Sequence, residues 1–131
     1  MNQIVATIKN IRSVDNLNIV DFDFEGIDLK MMSLGLNKDV EISKKVKLSV
    51  KPTNIFLSKD ISTNMSISNK IVATIDSIEN GQLLSSIILK VGDIFLESII
   101  TVDSSKRMNL QENDELAILI KASDLFIEEI L

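Results

Sequence analysis

Three short clusters hold the residues of this 131-residue chain that are best suited to chemistry. Ser66-Ile67-Ser68-Asn69 offers two hydroxyls and a side-chain amide. Thr101-Val102-Asp103-Ser104 offers two more hydroxyls, and Lys121-Ala122-Ser123 sets an ammonium beside a hydroxyl. All of these groups donate hydrogen bonds, and an anion brings only acceptors, so the donor set suits an anion. Thr101 and Ser104 stand where a short helix is expected to begin, and unpaired backbone N–H groups there favour negative charge. Each cluster also has a plainer reading. Ser and Thr at a helix start are usually caps, and a Lys ending a strand is usually solvated. Their joint occurrence in one half of the chain carries more weight than any one of them.

Other chemistries are excluded by composition. The chain has no Cys and no His. It therefore has no disulfide, thiolate nucleophile, zinc knuckle or iron–sulfur cluster, and no Ser-His-Asp or Cys-His arrangement. Asp21, Asp23 and Glu25 alternate with Phe22 and Phe24, the pattern of a solvated strand face rather than of a cation site with oxygens converging from several elements. None of the four glycines is followed by the Lys-Ser/Thr pair that ends a Walker-type phosphate loop. A non-enzymatic protein is expected. The net charge of −5, without a basic and aromatic stripe, makes nucleic acid a poor partner. No apolar run approaches the roughly 20 residues that span a bilayer, so no membrane partner is expected. Met1-Asn2-Gln3-Ile4 has no basic region leading into an apolar stretch, and a cytoplasmic location is expected.

The elements that must position these clusters are strands. Ile accounts for 21 residues, and β-branched side chains fit a pleated surface better than a helix. A repeat organises them. Residues 2–11 and 69–78 share seven identical positions, including Ile-Val-Ala-Thr-Ile in both. Val46, Leu48, Val50, Lys51, Ile55, Phe56 and Leu57 align with Leu116, Ile118, Ile120, Lys121, Leu125, Phe126 and Ile127 at an offset of 70. Between these blocks, Leu29, Met31 and Ser33 can be laid on Ile94, Leu96 and Ser98 at an offset of 65. The chain thus reads as two tandem units, 1–60 and 61–131, joined by the polar segment Ser58 to Asn64. Period-two alternation predicts five strands in the second unit, over 70–78, 83–91, 93–100, 115–121 and 124–128. Asp103 to Leu110 breaks the alternation and reads as a short helix before the fourth strand, shortened or missing in the first unit. The expected fold is all-β: two tandem OB-fold-like five-stranded Greek-key barrels.

The second unit resembles a TOBE domain of the molybdate-binding Mop (molbindin) family. That family's pattern opens with Ser-Ala-Arg-Asn-Gln, passes through Ile-Thr-x-x-Ser into a short helix with Leu-Gly-Leu, and ends in Ile-Lys-Ala-Ser/Thr-Asp-Val. The matching pieces here are Ser66-Ile67-Ser68-Asn69-Lys70, Ile100-Thr101-Val102-Asp103-Ser104, Met108-Asn109-Leu110 and Ile120-Lys121-Ala122-Ser123-Asp124-Leu125. The first unit is similar more loosely, through Val50-Lys51-Pro52-Thr53-Asn54-Ile55-Phe56-Leu57. The resemblance implies a tandem oxyanion-binding protein with sites between subunits of a homo-oligomer. Its implied ligands are Ser66, Ile67 through its backbone, Ser68, Thr101, Ser104, Lys121 and Ala122 through its backbone, with Ser123 adjacent. The bound species would be molybdate or tungstate, with no organic cofactor and no direct cation site. Storage, buffering or sensing of the oxyanion is the implied role. The alternative is a TOBE-type interaction or regulatory module with a degraded site, acting in trans on a molybdate transporter or regulator.

Two residues depart from the pattern or oppose it. Ser68 stands where the family has Arg, which removes a permanent charge and a forked donor, and Lys70 is the nearest cation able to compensate. Glu97, near the expected helix start, would add negative charge if it faced the site. The first unit lacks the opening segment and the Thr-x-x-Ser step, keeping only Lys51 of such a site. Charge divides unevenly, with +1 on residues 1–60 and −6 on 61–131. Salt screens distant charges over about 8 Å, so a local anion site in the acidic half is not forbidden.

Overall fold

A computed structural model describes residues 2–131. The alternation becomes ten strands: β1 (Asn2–Val14), β2 (Leu17–Phe24), β3 (Ile27–Leu34), β4 (Lys45–Val50), β5 (Phe56–Ser58), β6 (Asn69–Asn80), β7 (Leu84–Val91), β8 (Ile94–Thr101), β9 (Glu115–Ile120) and β10 (Phe126–Ile130). One helix, α1 (Val102–Arg107), follows β8. Single 3-10 turns occupy Pro52–Asn54 and Ala122–Asp124. The architecture is the expected one, mostly β, with two five-stranded curled sheets in tandem and a short helix in the second.

The order of the sheets holds a feature that alternation does not reveal. The first sheet runs β10-β4-β1-β2-β3 and the second β5-β9-β6-β7-β8, with every neighbouring pair antiparallel. Each sheet therefore takes its fifth strand from the other half of the chain. Ile127 lies opposite Leu48 of the first sheet, and Leu57 opposite Ile118 of the second. The crossing is made where the chain leaves β4 and β9. Lys51 and Lys121 adopt nearly the same extended conformation, and the 3-10 turn after each packs on the far half, against β8 and β3 respectively.

Burial follows the period of two. Ile4, Ala6 and Ile8 are buried along β1 while Val5 is exposed, and Ile71, Ala73 and Ile75 repeat the pattern along β6. The inward faces of both sheets join one apolar cluster that includes Phe22, Leu48, Ile71, Ile87 and Leu116. Each such side chain stabilises the fold by about 1.5–3 kcal/mol relative to exposure. β9 is buried from Leu116 to Ile120 on both faces, as befits a strand paired on either side and covered above and below.

Two asparagines clasp the halves together. The Asn69 side chain accepts from the Lys30 N–H at 2.6 Å and donates to the Lys30 carbonyl at 2.9 Å. The Asn2 side chain does the same for Glu97, at 2.7 and 2.8 Å. Lys30 and Glu97 lie on β3 and β8, which pair on one side only. Each amide thus satisfies backbone groups that an edge strand would otherwise leave unpaired. The clasps also fix the repeat's register. Phe22 pairs with Leu29 as Leu89 pairs with Leu96, so Lys30 corresponds to Glu97 and the offset is 67. The sequence alignment at 65 slipped by two, a slip that leaves every side chain on its correct face and so goes unnoticed in the hydrophobic pattern.

The β2–β3 hairpin turns on Glu25 and Gly26, both at positive φ (49° and 86°), the backbone a two-residue type I′ turn needs. The helix is shorter than Asp103–Leu110. Thr101 caps it, its hydroxyl accepting from the Ser104 N–H at 3.1 Å, and it ends at Arg107 before Asn109 takes a left-handed φ of 51°. In the first half, Gly35 at φ 76° turns the chain after β3, and the segment up to β4 holds turns and no helix.

A cleft lined by hydrogen-bond donors

Where β6 begins and β9 ends, the two halves enclose an open cleft of about 460 Å³. Its walls come from three places. Ser66, Ile67 and Ser68 belong to the segment leading into β6, and Lys121, Ala122 and Ser123 to the turn after β9. Ile19 of β2 and Met32 of β3 form the third wall, from the other half. Six of the eight residues implied by the sequence are thus brought together in one chain.

The chemistry of the lining is one-sided. Ser66, Ser68, Lys121 and Ser123 are exposed, while Ile67 and Ala122 are half-buried. Among the described residues, none of these hydroxyls nor the Lys121 ammonium is engaged in a hydrogen bond or ion pair within the chain, and neither are the N–H groups of Ile67 and Ala122. Among the described residues no carboxylate lines the cleft. Hydroxyls, two main-chain N–H groups and one ammonium can together hold an acceptor-only ligand. Another cleft lies between the loop after β3 and β10, with a volume of about 420 Å³, but Asp39, Glu128 and Glu129 line it and oppose an anion there.

Thr101 and Ser104 lie outside the cleft. Their hydroxyls hydrogen-bond each other at 3.0 Å, and Arg107 donates to the Ser104 hydroxyl at 3.1 Å. Within one chain they cap α1. Glu97 is also outside the cleft, its carboxylate accepting from the Ser86 hydroxyl at 2.5 Å. Lys70 donates to the Ile61 carbonyl at 2.9 Å and does not line the cleft, so it does not stand in for the missing Arg there.

Ile19 and Met32 were not legible as site residues. They sit opposite each other on β2 and β3, on the face away from the buried Val20 and Met31. Apolar residues at outward positions of an alternating strand were the available signal, since a solvated face has no need of them.

The carboxylates give no cation site. Among the described residues no group of three or more potential ligands converges. Asp21 is buried rather than solvated, because Lys30 reaches it at 2.6 Å and Arg12 at 3.6 Å. Asp60 orders the linker. It accepts from the Ser62 hydroxyl at 2.8 Å and the Ser62 N–H at 3.0 Å, and these bonds hold its carboxyl below the usual carboxylate range. Among the described residues no helix is long and apolar enough to cross a membrane.

Fold and cleft together define a tandem OB-type β protein with a donor-lined site between its halves. Residues 65–127 match the model of the TOBE domain. The whole fold is similar to a crystal structure of the cytoplasmic molybdate-binding protein ModG, grown from PEG with molybdate bound. The TM-score is 0.90 at 20% identity, over 96% of this chain and 94% of that one. A molybdate-binding protein from Sporomusa ovata is 30% identical over 46% of this chain and 90% of its own, with a TM-score of 0.45. No curated protein matches the chain in sequence.

Proposed function

We propose that this protein binds molybdate or tungstate without transforming it, and serves storage, buffering or sensing of the oxyanion in the cytoplasm. The observation that carries this reading is the cleft itself. It gathers Ser66, Ser68, Lys121 and Ser123 with the N–H groups of Ile67 and Ala122, all without partners in the chain, and no carboxylate among them. Likeness of fold to ModG, whose structure holds molybdate, supports the choice of ligand. In the working assembly a second copy supplies Thr101 and Ser104, which lie outside the cleft of their own chain. The protein is then a homo-oligomer whose sites are completed between subunits.

Calorimetric titration with molybdate, tungstate, sulfate and phosphate tests this. Saturable binding of the heavy oxyanions is expected, and Lys121→Ala should weaken it roughly tenfold, the lower end for a charge-assisted bond made by an exposed ammonium. No heat at millimolar ligand would sink the proposal. One observation favours a second reading: with Ser68 where the family pattern has Arg, Lys121 is the single cation lining the cleft among the described residues. Under that reading the site is degraded, and the chain is an interaction or regulatory module acting in trans on a molybdate transporter or regulator.

A further inference from the structure

All three walls of the cleft meet at one buried side chain that does not line it. Asn69 is fully buried and is the first residue of β6, next in sequence to Ser68 of the first wall. Its backbone lies opposite Ile120, the last residue before Lys121 of the second wall. Its side-chain amide holds both the N–H and the carbonyl of Lys30, two residues before Met32 of the third wall. Among the described residues, no other hydrogen bond ties the segment from Asn64 to Ser68 to the rest of the chain.

Resting on the anion-binding reading above, we infer that Asn69 is the positioning residue of the cleft: its two-way clasp on Lys30 sets the distance between the Ser66–Ser68 donors, the Lys121 turn and the Ile19–Met32 wall. The clasp works because an amide side chain carries one acceptor and one donor at the spacing of a peptide group. It replaces the missing neighbour of edge strand β3 at one residue and brings Ser68 against it. An Asp of nearly the same size keeps the acceptor for the Lys30 N–H but has no donor for the Lys30 carbonyl, and faces it with negative charge.

The molecule contains its own control. Asn2 makes the same clasp on Glu97 at the other junction, and neither residue lines the cleft. A purely structural role predicts that Asn69→Asp and Asn2→Asp behave alike. A positioning role separates them. Both variants should lower the denaturation midpoint, but only Asn69→Asp should weaken molybdate binding, by about tenfold or more, as when the orienting partner of a ligand is removed. Asn2→Asp should leave the affinity within about twofold, a change too small to signal a lost orienting contact.

NMR relaxation on the unliganded protein supplies a second readout that needs no ligand. Backbone order parameters at Ile67 and Ser68 should fall in Asn69→Asp and stay unchanged in Asn2→Asp. Equal molybdate affinities for folded wild-type and Asn69→Asp protein, or equal order parameters at Ile67 and Ser68, would overturn the inference. If the wild type binds no oxyanion, the functional reading falls and the relaxation data still decide the role of Asn69. If Asn69→Asp does not fold, Asn69→Ser, which removes the clasp without adding charge, is read in the same two ways.

Discussion

Exchange of the last strands makes a prediction that runs against chain order. Ile127 lies in the second repeat, yet it is opposite Leu48 in the first sheet; Leu57 lies in the first repeat, yet it is opposite Ile118 in the second. Both side chains are half-buried and pack against the common core. A fully buried Ile or Leu cut to Ala costs about 2–5 kcal/mol, and half-burial scales this to about 1–2 kcal/mol for either residue. In a chain of this length that lowers the melting temperature by roughly 3–8 °C. The location of the damage is the sharper readout. In Ile127→Ala, amide exchange should quicken in β4 and β10 of the first sheet, with β9 unaffected. In Leu57→Ala it should quicken in β5 and β9, with β4 unaffected. Edge strands open locally before the sheet does, so the neighbour that loses its partner exchanges first. Faster exchange in β9 on substituting Ile127, with β4 unchanged, would refute the exchanged pairing.

Other expectations follow from single contacts. Asp60 should titrate below 3.8, since the Ser62 hydroxyl and N–H bonds favour its charged form. A lowered folded pKa means that the linker's added stability is present above the unfolded carboxyl value and is lost as pH falls through the folded one. Carboxyl chemical shifts against pH check this, and Ser62→Ala should move the midpoint upward; an unmoved midpoint would refute the cause. Thr101→Ala removes the side-chain cap of α1 and should cost about 1 kcal/mol in denaturant unfolding. If Thr101 and Ser104 complete the site of a second copy, the same variant should also weaken molybdate binding measured on the assembled protein, whereas a cap alone would alter stability only.

The strands were legible because their signal is local. Ile71, Ala73 and Ile75 alternate with Val72 and Thr74 over a few residues, and one buried face is enough to fix that pattern. The repeat was legible for the same reason, as was a helix beginning near Thr101. The candidate site was legible in part. Ser66, Ser68, Lys121 and Ser123 carry donor groups that can be recognised in sequence, and the resemblance to the Mop family named them together. Ile19 and Met32 escaped, and the Asn69 amide, counted among the candidate donors, is engaged with Lys30 instead, since nothing in a residue's neighbours along the chain says which distant strand it will meet.

What the sequence alone determined, then, is the inventory: two copies of a β-rich unit, their inward and outward faces, and the exclusion of thiolate and imidazole chemistry by the absence of Cys and His. Tertiary structure decided the pairings. Alternation specifies a face and is indifferent both to a slip of two residues and to which sheet a strand joins, so the registers of β3 on β2 and of β8 on β7, and the exchange of β5 and β10, were open until the strands met. The cleft depends on the same contacts. Its donors lie more than 50 residues apart in sequence and come together through the pairing of Asn69 with Ile120, while its apolar wall is fixed to them by the amide of Asn69 on Lys30. Such contacts are set by packing between elements, and packing is the information a single strand does not carry.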